Sequence, residues 1–325
     1  MYDTKSSKIN IECRNPFGKH KMVVHEWGDT QNPSVIVCLH GLTRSAKDFF
    51  YLANKLKKNH RVLAPDFVGR GESDWLENEN LYHISQYIND LNSMFDQLKL
   101  KEISLIGTSL GGFIGLLICS PVFNEEYKNL PFFLICGSNV GRSDKIVYNS
   151  LVINDFGAHV SIQSLFGLAG QIDFNPDIEF NDFKEAVILV KRLCREFGPH
   201  SDSQWEVLTE SFLRPGRKKG SYRVHFDPKI VSQFRRAFLA FGGNSSLKLF
   251  KIPDLTLWEF YDNLTCNTLL LRGKNSSILN RDVALEMTRR GPAPKLAEFD
   301  DVGHAPSLMH DDQTSIIESF LCFKM

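Results

Sequence analysis

The sequence contains no long hydrophobic run. Its longest apolar stretch, FIGLLICSPVF at 113–123, is short and broken by Pro121, so no membrane span is expected. MYDTKSSKINIECRNPFGKHK at the N-terminus has no apolar core of the kind a signal peptide needs, and a cytoplasmic location is the expectation. Neither charge is in excess: Lys+Arg and Asp+Glu number 38 each. No long-range field therefore draws the chain to nucleic acid or to an anionic membrane. Cysteines number seven, an odd count, with no C-x-x-C pair. That argues against a structural zinc site and for reduced thiols in a core. Internal repeats and low-complexity stretches are absent as well.

At 325 residues the chain is long enough for one elaborated domain, or one domain with an insertion. Its first third alternates between two hydrophobic periods. VIVCL at 35–39 is a near-continuous apolar run ending in His40-Gly41, as in a parallel strand covered on both faces. A helix is expected around 46–58 and a strand at RVLAPDF, 61–67. Ile84, Tyr87, Ile88, Leu91, Met94, Phe95 and Leu98 then recur every three or four residues, one face of an amphipathic helix. ISLIG at 103–107 reads as a third buried strand running directly into a helix. Such alternation specifies an α/β fold with a mostly parallel, doubly wound sheet.

From about 156 to 262 the rhythm changes. The pattern becomes helical and rich in phenylalanine: Phe166, Phe174, Phe183, Phe197, Phe212, Phe234, Phe238, Phe241 and Phe250. An inserted helical cap with its own core is expected, its aromatics also suited to an apolar ligand pocket. RPGRKKG at 214–220 reads as a solvated hairpin or loop rather than a phosphate site, because Pro and two Gly punctuate it. After Cys266 the α/β rhythm returns with NTLLLRG, a helix around 281–290, KLAEF, and a last helix around 311–322. The expected organisation is a core in two parts, 1–155 and 263–325, around the cap. PFFLIC at 131–136 and SLVIND at 150–155 compete as the strand following the 109–120 helix.

The strongest chemical signal is Gly107-Thr108-Ser109-Leu110-Gly111, between a strand and a helix. A nucleophilic hydroxyl must stand clear of the sheet on a sharp turn, and glycines two residues either side let the backbone close up. The helix start also aims free N–H groups at a developing oxyanion. The loop His40-Gly41-Leu42-Thr43 occupies the position of the second donor, so the N–H groups of Leu42 and Leu110 form the expected oxyanion hole. His40 itself reads as a loop-ordering residue. For the base, His304 in DVGHAPSLMH comes last in chain order, where the histidine of such a triad belongs. His159, His200, His225 and His310 read as surface residues.

Together VIVCLHGLTRSAKDF, VLAPDFVGRGESDW, ISLIGTSLGGF, LLLRGKNSS and DDVGHAPSL resemble the α/β-hydrolase superfamily, in particular bacterial serine hydrolases with a helical cap. The resemblance implies an eight-stranded type of sheet, and hydrolysis of ester, thioester, amide or C–C bonds without a cofactor or metal. A small-molecule acyl substrate is the expected partner. Branches that place aspartate at the elbow are disfavoured by Ser109, and Asp66 matches a position with a loop-ordering role.

One corner departs from the pattern. In the family the strand ending LLLRG leads into a turn that carries the aspartate orienting the histidine; here Ser277 stands at that position. Losing the carboxylate costs roughly 10⁴-fold in a serine protease. Asp155, closing SLVIND, is the first candidate to replace it, because that strand would deliver it to the catalytic edge of the sheet. Asp282 is the alternative, though NRDVALEM reads as a helix start. Asp300 and Asp301 lie too near His304 along the chain to reach around its ring. The expected activity is hydrolysis of a carboxylic ester or thioester through an acyl-enzyme on Ser109. C–C bond cleavage of aromatic-degradation type is the enzymatic alternative, and a hydrolase-fold protein that binds without turnover is the competing class.

Overall fold

A computed structural model of the chain describes residues 6–127, 130, 141–171, 178–232 and 253–322. Phe174, Phe234, Phe238, Phe241 and Phe250, together with the run 131–136, lie outside the described residues. In chain order the first strands are β1 (Ser7–Asn15), β2 (Gly18–Trp27), β3 (Val35–Leu39), β4 (Arg61–Pro65), β5 (Glu102–Thr108) and β6 (Val147–Asn154). SLVIND therefore supplies the strand after the nucleophile's helix. The chain then leaves the sheet through β7 (His159–Val160), β8 (Glu179–Phe180), β9 (Leu213–Pro215), β10 (Tyr222–Val224) and β11 (Leu255–Thr256). It returns as β12 (Asn267–Gly273) and β13 (Lys295–Phe299).

The main sheet has eight strands in the order β1-β2-β4-β3-β5-β6-β12-β13. β1–β2 and β2–β4 pair antiparallel, and every later pair is parallel. Alternate residues of a strand face opposite sides, so a parallel strand with both faces covered must be apolar throughout. VIVCL obeys this. Val37 and Leu39 join one apolar cluster, with Leu91 and Met94 of α2 (Ile84–Gln97) and Ile114 and Leu117 of α3 (Leu110–Cys119). Ile36 and Cys38 join the other, with Leu52 and Leu56 of α1 (Phe50–Leu56) and Ile317 of the helix Asp311–Cys322. Helices thus cover both faces, the doubly wound α/β-hydrolase architecture. No described helix is long and apolar enough to cross a membrane.

The segment between β6 and β12, expected to be helical, also carries short strands. β8, β10 and β9 form a three-stranded antiparallel sheet, and β7 pairs with β11. RPGRKKG runs from Arg214 and Pro215 of β9 into the turn of the β9–β10 hairpin. Strands of two or three residues are too short to show a period of two, which is why the sequence pattern conceals them.

Two buried clusters fix the loops at the catalytic edge. His40 donates from Nδ1 to the Gly41 carbonyl at 2.7 Å and accepts the Phe67 N–H at Nε2, 3.0 Å away, which ties the loop after β3 to the one after β4. Asp66 accepts the N–H groups of Ala46 and Glu72. Burial alone would raise its carboxyl; His25, His40 and the Glu72 amide outweigh that and hold it at about 2. Arg44 joins the same region to the inserted segment. Its guanidinium grips Asp48 through two bonds of 2.7 and 2.6 Å and donates to Ser211 Oγ at 2.8 Å. It also lies over the rings of Phe197 and Phe212.

Truncating Arg44 strands the half-buried Asp48 carboxylate and empties the space between two aromatic rings. Arg44→Ala should cost about 3 kcal/mol of stability, read as a lower urea midpoint with an unchanged slope. His40 generates a pH-dependent expectation. Burial pushes its pKa down to about 4, so the unfolded chain takes up the proton first as pH falls. Its contribution is complete above pH 6.5, the ordinary value, and is lost between there and about 4. The destabilisation caused by His40→Gln at pH 7 should therefore shrink by about 2 kcal/mol at pH 5, in paired urea titrations of both proteins.

Candidate active site

Parallel pairing places two of the expected residues side by side. Thr108 of β5 faces Asn154 of β6, and Asn154 faces Leu271 of β12. Ser109 and Asp155 are each the next residue, and the ladder extends to both: Ser109 N–H donates to the Asn154 carbonyl and Asp155 N–H to that of Leu271, each at 2.9 Å. Both then leave extended geometry. Ser109 has φ 53° and ψ −114°, and Asp155 has φ 57°. Non-glycine residues hold such backbone only where their surroundings over-determine it, as at a nucleophile elbow. The glycines do what the motif requires. A Cβ on Gly107 would collide with the Gly111 carbonyl, and one on Gly111 with the Leu39 carbonyl.

His304 arrives on the loop after β13. Its Nε2 lies 2.7 Å from Ser109 Oγ, a good hydrogen bond for a hydroxyl donating to a neutral imidazole. On the other side of the ring, Nδ1 faces Asp155, whose Oδ1 is 3.7 Å away. That exceeds hydrogen-bonding distance, and Nδ1 has no partner, although both side chains are buried. Asp155 Oδ1 is instead taken by the Ser276 hydroxyl at 2.6 Å, and Oδ2 accepts the Gly273 N–H at 3.2 Å. Ser276 Oγ in turn accepts the N–H groups of Ile278 and Leu279, so the turn after β12 folds around the carboxylate it does not itself supply.

Two expected alternatives fail on geometry. Ser277 is exposed, and the inward hydroxyl belongs to its neighbour Ser276. Asp282 is an exposed first-turn residue of the helix Arg281–Met287, its N–H capped by Asn280. Asp300 points outward to Lys274 Nζ at 2.6 Å. His225, read as a surface residue, is instead buried, and its Nδ1 accepts the Gly71 N–H at 2.8 Å. A lone histidine carries no pattern that distinguishes these cases.

Three supporting residues escaped the sequence reading. Asn154, fully buried, donates from Nδ2 to Thr108 Oγ1 at 3.0 Å and to the Pro306 carbonyl at 2.9 Å, linking the nucleophile's strand to the histidine loop. Only its position next to Asp155 marked it. Glu196 braces the same loop from the inserted segment: its carbonyl accepts the Gly303 N–H at 2.6 Å. Phe156, directly after Asp155, stacks on Phe113 of α3 with ring centroids 5.2 Å apart.

Of the expected oxyanion donors, Leu110 directly follows Ser109 and Leu42 directly follows Gly41. Gly41 packs so close that a Cβ there would lie 3.8 Å from Ser109 Cβ. Arg70 Nε holds the following Leu42 carbonyl at 2.8 Å. Leu110 opens α3, where first-turn N–H groups lack intrahelical acceptors. Elsewhere, Cys13, His20 and Asp90 bring three potential metal donors within 4.8 Å of one another. They already serve another purpose. His20 Nε2 bonds Asp90 Oδ2 at 3.0 Å, while Asn15 and Gln86 occupy the remaining His20 nitrogen and the other Asp90 oxygen. The cluster pins the β1–β2 hairpin to α2.

Comparison with known proteins agrees with this architecture. Residues 34–121, which contain the His-Gly loop and the elbow, match the family model of the alpha/beta hydrolase fold. The 3-hydroxybutyrate-oligomer hydrolase of Cupriavidus necator is 30% identical over 312 residues, 95% of this chain and 96% of the relative. A protein from Rickettsia typhi superposes with a TM-score of 0.80 at 26% identity, covering 99% of this chain and all of that one. An alpha/beta hydrolase from Novosphingobium aromaticivorans superposes with a TM-score of 0.73 at 26% identity, covering 98% and 99% of the two chains. The chain is a hydrolase and belongs to the α/β-hydrolase family.

Proposed function

We propose that the protein hydrolyses carboxylic esters, with Ser109 as nucleophile, His304 as general base and Asp155 as the acid that orients it. The observation that carries this reading is the 2.7 Å contact between Ser109 Oγ and His304 Nε2, with a buried carboxylate on the far side of the ring. Ser109 Oγ attacks the ester carbonyl as Nε2 takes its proton. The N–H groups of Leu42 and Leu110 receive the oxyanion. The imidazolium then protonates the leaving alkoxide, and a water activated by the same nitrogen releases the acid.

The 3.7 Å gap between Nδ1 and Asp155 is the resting state of this relay. Hydrogen bonds of a catalytic base are often long without substrate and shorten when charge develops. Positive charge on His304 draws Oδ1 inward, while Ser276 and Gly273 keep the carboxylate from turning away. Residues 156–262 act as the cap over this edge, anchored by Arg44 and Glu196. An oligomeric hydroxyalkanoate ester is the favoured substrate class, supported by the full-length similarity to the 3-hydroxybutyrate-oligomer hydrolase.

The test combines a fluorophosphonate probe with turnover of a short-chain ester and a 3-hydroxybutyrate dimer. Wild-type protein should label, and Ser109→Ala should neither label nor turn over; labelling that survives Ser109→Ala sinks the reading. Asp155→Asn should lower kcat by roughly 10³–10⁴-fold, and a wild-type rate would remove Asp155 from the relay. Ser276→Ala, which frees the carboxylate, should lower kcat about 10-fold with little change in KM. Ser277→Ala and Asp282→Asn should stay within about twofold of wild type, because exposed groups away from the site rarely matter.

A further inference from the structure

On the β9–β10 hairpin, Arg214 and Arg223 are directly opposed cross-strand partners. Like charges facing each other across a ladder destabilise it. With Arg217 and a single carboxylate, Glu179, they line a cleft of about 70 Å³ walled by Trp75, Val224 and Pro228. Room of that size suits a carboxylate group or two waters. The Arg214 guanidinium lies 3.8 Å from the centroid of the Trp75 ring, which holds it in place. Yet Arg214 Nε and Arg223 Nε are both shielded from solvent without a hydrogen-bond partner.

Two carboxylates stand nearby. Glu179, opposite Arg223 on β8 and part of the cleft wall, accepts the N–H groups of Arg217 and Lys218 and the Ser221 hydroxyl, all on Oε1. Asp227 accepts the Tyr82 hydroxyl at 2.6 Å and the Lys229 N–H at 3.0 Å. Among the described residues no ion pair neutralises either arginine. Burial, and then the charge of Arg223, push Arg214 down to about 10, against the opposing pull of the Asp227 carboxylate.

We propose that this cleft is a carboxylate-binding subsite, in which the guanidinium groups of Arg214 and Arg223 meet a planar two-oxygen anion through their terminal N–H groups. The fork of a guanidinium matches a carboxylate in both spacing and plane. Such a group has two sources: the terminal carboxylate of a hydroxyalkanoate ester, or a free hydroxy acid of the kind its hydrolysis releases. The first source rests on the ester-hydrolase reading, and the subsite itself does not.

Titration of the full-length protein with 3-hydroxybutyrate, followed by tryptophan emission, tests the subsite without any turnover. Trp75 stacks on the binding arginine, so a saturable change is expected, absent in Trp75→Phe and absent with the neutral 3-hydroxybutyramide. The double variant Arg214→Gln/Arg223→Gln should lose the response. Should that variant lose its near-UV circular dichroism, Arg223→Lys keeps the charge but not the fork and should bind about tenfold more weakly. No wild-type response, or a response unchanged in these arginine variants, overturns the subsite. A kinetic comparison separates the sources. If the substrate's own carboxylate binds, the ratio of KM for a carboxylate-terminated dimer to KM for its methyl ester rises about tenfold in the double variant. A constant ratio with lost titration assigns the subsite to the free acid.

Discussion

The parallel ladder joining β5, β6 and β12 carries the whole site. Its backbone bonds run one residue past the strands, from Ser109 to Asn154 and from Asp155 to Leu271. Each hydrogen bond is modest alone, but a ladder buried on both faces cannot slip without exchanging its two apolar sets. The register of a hydrophobic sheet therefore also sets the separation of a hydroxyl and a carboxylate. β13 adds the histidine loop beside them, and Asn154 bonds that loop to the elbow. Chemistry here depends on packing at a distance: Val37, Leu105, Val152 and Leu270 hold the corners where they are.

A carboxylate arriving from β6 needs holding, because it is buried beside an imidazole that lies 3.7 Å from it. The turn after β12 supplies neutral donors in place of a charge: one hydroxyl from Ser276 and one amide from Gly273. A buried carboxylate with two hydrogen bonds and an imidazole close by is tolerable, where an isolated one would not be. The arrangement also separates two tasks that a single turn would otherwise combine. One strand supplies the charge, and another fixes its orientation.

Much of this was legible because it is local. The elbow announces itself through two glycines whose neighbours leave no room for a side chain, and the strand–turn–helix around it can be read from hydropathy alone. VIVCL and ISLIG could be placed for the same reason: they are short, largely apolar and bounded by polar residues or turns. Asp155 was reached by asking which strand ends on the catalytic edge. Which of two adjacent serines faces inward was not legible, since a single residue of turn geometry decides between Ser276 and Ser277. The burial of His225, the bracing by Glu196 and the short strands of the insertion depend on contacts between distant segments. No period within one segment encodes them.

Asp155 is the last residue before the chain departs from the sheet, and Phe156 is stacked on the helix that begins at the nucleophile. The proposed acid and the root of the insertion therefore share one joint. For recombination between relatives this sets a boundary. An insertion can be exchanged beyond Phe156 with the carboxylate left in place, whereas a crossover one or two residues earlier would carry that carboxylate away with the insertion.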